Sequence, residues 1–109
     1  MNTETATVFV VDDDAGVRKS LGRLLEAVGL SAETFASGPE FLDAIQPDRA
    51  GCLVLDLRLR EGSGLEVQDE LRRRGNMMPI IIALAIVFLN TVRVCVFNAI
   101  FNFLLSFPL

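Results

Sequence analysis

Short apolar runs alternate with segments of helical period along the first part of this chain. Ala6 to Val11 is apolar or β-branched throughout and reads as a strand buried on both faces. From Ala15 the pattern becomes helical: Val17, Leu21, Leu24, Leu25 and Val28 share one stripe, Arg18, Lys19, Arg23 and Glu26 face away, and Gly29 ends the helix. Asp13 or Asp14 can serve as its N-cap. A second strand is expected around Ala32 to Phe35. Ser37-Gly38-Pro39-Glu40 then has the form of a capping box opening a helix through Phe41, Leu42 and Ile45. Cys52-Leu53-Val54-Leu55-Asp56 is a further buried strand that delivers a carboxylate at its end. Ser63-Gly64-Leu65-Glu66 has the form of a second capping box; its helix runs to Arg74 and is closed by Gly75, and Pro79 to about Leu84 reads as a fourth strand.

Three strand-then-helix repeats followed by a strand imply βαβ units with right-handed crossovers. The expected class is α/β, a parallel sheet with helices on both faces. Past Ile82 the character changes. The last acid is Glu70, and Phe occurs five times in the final 27 residues against three in the first 82. The expected division is therefore a domain over 1–82 and an apolar tail over 83–109.

Composition narrows the function. With 51% hydrophobic and 22% charged residues the chain is globular, and a net charge of −4 argues against direct binding to nucleic acid. Histidine is absent, which removes His-based triads, His-containing zinc sites and a phosphohistidine carrier. Cys52 and Cys95 are too few for a disulfide framework and read as reduced thiols of a cytoplasmic protein. The polar start Met1-Asn2-Thr3-Glu4-Thr5 is not a secretory signal.

The candidate chemistry lies at the strand ends. If the first and third strands are neighbours, Asp12, Asp13 and Asp56 converge where open α/β sheets bind ligands. Two carboxylates 4 Å apart repel by about 4 kcal/mol at an effective dielectric near 20, so the acids need a counter-charge. Oxygen-only ligands favour Mg²⁺, and a carboxylate beside Mg²⁺ can attack a phosphoryl group, giving an acyl phosphate on Asp56. Alone, an Asp-Asp-Asp run is more often a solvated turn and helix cap. Two acids at the ends of two buried strands, each leading to a helix start, favour a site.

The segments Val8-Phe9-Val10-Val11-Asp12-Asp13-Asp14, Val17-Arg18-Lys19-Ser20-Leu21, Leu53-Val54-Leu55-Asp56-Leu57-Arg58 and Ser63-Gly64 resemble the receiver domain of bacterial two-component response regulators. The resemblance covers residues 6–82 and is nearest to the subfamily that carries a LuxR-type helix-turn-helix output. It implies a flavodoxin-like (CheY-like) fold of strand order 2-1-3-4-5. It also implies a role for each matching residue: Asp56 as phosphoacceptor, Asp12 and Asp13 as the acidic pair at Mg²⁺, and the backbone carbonyl of Arg58 as a further ligand. A sensor histidine kinase would be the phosphoryl donor, and the module would not itself be an enzyme.

The chain departs from that family mildly at Arg60 and Glu61, which stand where receivers have Pro and Asp, and more strongly at two further positions. Leu84 stands where receivers place a Ser or Thr, and the sole lysine, Lys19, lies on the first helix rather than after a fifth strand. Three readings of the tail stay open. Residues 80–105 are long enough to span a membrane, with Arg72, Arg73 and Arg74 on the cytoplasmic side, but Arg93 would sit mid-span. Asn90, Asn98, Asn102 and Ser106 share a helical face that could pack on the domain or on a partner. The abrupt change of composition places truncation or a frame shift first, leaving an apolar end or sheet edge open to self-association. Two functions follow: a phosphorylation-controlled receiver, or a receiver remnant without a working switch, membrane-associated in one variant.

Overall fold

The computed structural model describes residues 7–57, 59 and 62–83. Arg58, Arg60, Glu61, Leu84, Cys95 and the tail to Leu109 lie outside the described residues, so the tail readings and the end of the fourth strand are not addressed by the structure. Among the described residues four strands and three helices alternate: β1 (Thr7–Val11), α1 (Ala15–Ala27), β2 (Ser31–Phe35), α2 (Gly38–Ala44), β3 (Gly51–Asp56), α3 (Gly64–Arg73) and β4 (Ile80–Ala83). The strands form one parallel sheet of order β2-β1-β3-β4. This is the flavodoxin-like arrangement.

The period of two along each strand sorts the core into two halves. Val8 and Val10 of β1 and Cys52 and Val54 of β3 face α1, where they pack with Val17, Leu21 and Leu25. Phe9, Val11, Leu53 and Leu55 point to the opposite face, against Phe41 of α2 and Val67 and Leu71 of α3. β1 and β3 are buried along their whole length, as uninterrupted apolar runs demand. β2, which carries Glu33 and Thr34, lies at the sheet edge and is only partly covered.

Helix ends follow local chemistry. Gly29, at φ +86°, turns the chain after α1 so that the Leu30 amide donates to the Leu25 carbonyl at 2.9 Å and Leu30 returns to the core. Val28, expected on the apolar stripe, is instead the C-cap and is 40% exposed. Ser37 caps α2 by accepting from the Glu40 amide at 3.3 Å, and the Glu40 carboxylate accepts from the Ala36 amide at 3.2 Å, one residue earlier than a strict capping box. Ser63 caps α3 by accepting from the Leu65 amide at 3.2 Å.

At the amino-terminal side of the sheet Arg49 joins three segments. Its Nη2 donates to Glu33 Oε2 at 2.7 Å and to Thr7 Oγ1 at 2.9 Å, and its guanidinium lies 5.2 Å from the Phe9 ring centroid. Arg74 ties α3 to α2, donating to the Leu42 carbonyl at 2.8 Å and to Glu70 at 2.9 Å.

Candidate metal and phosphoacceptor site

Strand register builds the site. Val10 of β1 lies beside Val54 of β3 and Val11 beside Leu55, so one step further brings Asp12 level with Asp56. Parity does the rest: Asp12 continues the face of Val8 and Val10, and Asp56 that of Cys52 and Val54. Asp12, Asp13 and Asp56 each offer a carboxylate oxygen, all within 4.8 Å of one another. Asp12 is 5% exposed and Asp56 7%, while Asp13 is half-buried. The sequence-based expectation of convergence is met.

The electrostatics at Asp12 are those of a buried carboxylate among like charges. Burial pushes the Asp12 carboxyl above its ordinary value, and the Asp56, Asp13 and Asp14 charges push the same way. The Asp14 amide, donating to Asp12 Oδ1 at 2.8 Å, opposes them. The donor set is oxygen only, which suits a hard divalent cation. Cys52, buried in β3, is no competitor: burial pushes its thiol up to about 11, leaving it protonated and inert.

The acidic run divides its labour. Asp14 Oδ1 accepts from the Gly16 amide at 2.8 Å and the Val17 amide at 3.1 Å, which makes Asp14 the N-cap of α1. Of the two cap candidates in the sequence, the structure selects Asp14. Asp14→Ala is therefore expected to cost about 1 kcal/mol of stability while leaving divalent-ion binding in place, as thermal melts with and without Mg²⁺ would show. A lost ion response would put Asp14 in the site instead.

Two contributors were not evident from the sequence. Arg18, expected to face away, is half-buried, and its Nη1 donates to the Asp12 carbonyl at 2.7 Å. Its long stem lets the head reach back over the helix start. Gly64 is the second. A Cβ there would lie 2.6 Å from the Asp56 carbonyl oxygen and 3.1 Å from both Leu55 Cγ and Leu57 Cα. The start of α3 thus sits directly on the backbone of Asp56, a closeness only glycine permits. Arg58, whose carbonyl the resemblance adds to the ligands, lies outside the described residues.

A family model described as the response regulator receiver domain matches residues 8–104. The chain belongs to this family. The receiver is 50% identical over 76 residues to the transcriptional regulatory protein TdiR of Thauera aromatica, a match covering 70% of this chain and 34% of TdiR. It therefore spans about a third of that relative's length. Among solved structures, FixJ-N superimposes with a TM-score of 0.77 at 27% identity, covering 100% of this receiver and 99% of FixJ-N. TrrA of Thermotoga maritima, solved in complex with Mg²⁺ and BeF, matches with a TM-score of 0.68 at 28% identity over 80% of this receiver and 76% of TrrA. TrrA has also been solved in complex with the histidine kinase ThkA. The family match runs beyond residue 82, the limit of the motifs read from the sequence. No helix of the described residues is long and apolar enough to cross a membrane.

Proposed function

We propose that this chain is a phosphoacceptor module of a two-component phosphorelay, working in the cytoplasm, in which Asp56 receives a phosphoryl group from a sensor histidine kinase. The observation that carries the reading is the convergence of Asp12, Asp13 and Asp56 within 4.8 Å at the carboxyl ends of two adjacent strands. These residues fit Mg²⁺, since two buried carboxylates and a third half-buried one form an oxygen-only set of the kind a hard divalent cation takes. Asp12, Asp13 and Asp56 would hold the ion, with the Arg58 carbonyl added by resemblance. When bound, Mg²⁺ supplies charge neutralisation on the transferring phosphoryl oxygens.

The remaining work falls to the chain. One Asp56 carboxylate oxygen attacks phosphorus as the bond from phosphorus to the donor imidazole nitrogen breaks, and the imidazole leaves with the electron pair. The seat of α3 on the Asp56 backbone, through Gly64, fixes the strand end from which that carboxylate projects. The chain is an acceptor and not an enzyme in its own right. Support for the kinase partner comes from the family and from the TrrA complex with ThkA. The net charge of −4 supports a module that does not itself bind nucleic acid.

The test uses the full chain, a small phosphodonor and Mg²⁺, followed by mass spectrometry and borohydride trapping of the acyl phosphate. One phosphoryl group at position 56, lost when EDTA replaces Mg²⁺, is the expected result. Phosphate at another residue, or uptake indifferent to EDTA, would overturn the assignment.

A second reading keeps this chemistry but lacks the switch, as in a receiver remnant. One observation favours it: Ala83 pairs with Asp56 across β3 and β4, and the next residue in the sequence is Leu84, which has no hydroxyl to offer a phosphoryl group. If phosphorylation leaves the backbone amide exchange of β4 and the oligomeric state unchanged, this reading gains over a working switch.

A further inference from the structure

We infer that Arg18 is a positioning residue for the metal site, acting through the peptide plane that joins Asp12 to Asp13. The inference rests on the proposed function and goes beyond it. Asp12 is held at three atoms: its amide donates to the Phe35 carbonyl at 3.1 Å, its Oδ1 accepts from the Asp14 amide at 2.8 Å, and its carbonyl accepts from Arg18 Nη1 at 2.7 Å. The third bond differs from the others in kind. The Asp12 carbonyl belongs to the same rigid unit as the Asp13 nitrogen, so holding that oxygen fixes the plane from which the Asp13 side chain projects.

Sequence and packing explain why an arginine can do this. Arg18 lies on α1 just past Asp14, and its amide donates to the Asp14 carbonyl at 3.0 Å, so its backbone is anchored to the capped helix start. The half-buried side chain reaches back across that turn to the end of β1. Strand, acidic turn and helix are thereby triangulated by one charge-assisted bond.

The Arg18 guanidinium, bonded to the backbone of one member of the trio, could also act simply as a charge, and the two roles predict opposite signs. A nearby cation competes with Mg²⁺, so removing it would tighten ion binding. Loss of an orienting bond loosens it, and such partners typically cost 10–100-fold in metal affinity, with the low end expected for a bond to backbone.

The experiment is calorimetric titration of Mg²⁺ into the full-length wild type, Arg18→Met and Arg18→Lys, alongside melting temperatures without Mg²⁺. Arg18→Met is expected to bind Mg²⁺ about ten-fold more weakly with its metal-free melting temperature little changed. Arg18→Lys, which keeps the charge and one donor nitrogen, should fall between. Equal or tighter binding by Arg18→Met would overturn the inference alone. A loss that Arg18→Lys does not partly restore, with a lowered melting temperature, would assign Arg18 to the fold and overturn it too. If wild type binds no Mg²⁺, this inference and the proposed function fall together.

Discussion

Asp12→Asn is expected to make the metal-free protein more stable and at the same time to abolish its response to Mg²⁺. Both effects come from one cause. Asp12 is 5% exposed and shares a 4.8 Å cluster with Asp13 and Asp56. At such separations each like-charged pair costs about 3–4 kcal/mol at an effective dielectric near 20, a burden the fold carries for the sake of the site. Asparagine keeps the oxygen that accepts from the Asp14 amide and removes the charge. A gain of at least about 1 kcal/mol would raise the melting temperature by roughly 4–8 °C in a domain of this size. In wild type, Mg²⁺ at a hundred times its dissociation constant adds about 2.7 kcal/mol, and this increment should vanish in the variant. A variant that melts below metal-free wild type would sink the charge-repulsion account.

The same account fixes a pH dependence for the metal-free protein. The folded state holds the Asp12 proton more tightly than the unfolded chain, whose carboxyl titrates near 3.8. Below that value both states are protonated and Asp12 carries no penalty. As pH rises the unfolded chain ionises first, so stability falls until the folded group has also ionised. The stability gap between Asp12→Asn and wild type should widen from acid pH toward neutrality and then level off.

Phe41→Ala is expected to cost about 3–5 kcal/mol, a large share of the 5–15 kcal/mol that holds most domains folded. Phe41 is fully buried, with its ring centroid 5.8 Å from that of Phe9 and 5.5 Å from that of Phe35. It is the one fully buried large side chain of α2, a helix too short to persist unaided. Urea denaturation should show a lower midpoint at a similar slope. A loss under about 1 kcal/mol would mean that Leu42 and Ile45 suffice to seat α2.

Much of this molecule is legible in its residues, for reasons that differ by element. The β1 and β3 runs announce themselves because burial on both faces excludes polar side chains. Helix α1 is readable from its apolar stripe, but Val28 is misplaced by it, because Gly29 ends the helix first and Leu30 takes the core position. The strand order came from family resemblance, since periodicity says which face is buried and not which neighbour lies alongside. Asp12, Asp13 and Asp56 could be proposed from strand-end placement. Which of Asp13 and Asp14 caps α1 could not, because both are aspartates, a good capping residue, and only backbone geometry separates them. Arg18 and Arg49 were invisible for another reason: each acts through atoms whose partners are set by register and turn geometry.

The register that levels Asp12 with Asp56 also determines which changes in chain length the family can tolerate. Inserting one residue inside Thr7–Val11 or Gly51–Asp56 would invert every side chain beyond it and send one acid to the α2 and α3 side of the sheet. Extra residues between Gln46 and Ala50 would leave both strands in step. Viable relatives should therefore vary in the length of the link from α2 to β3 while conserving the length of each strand, because a single-residue slip in a strand separates the acid trio at once.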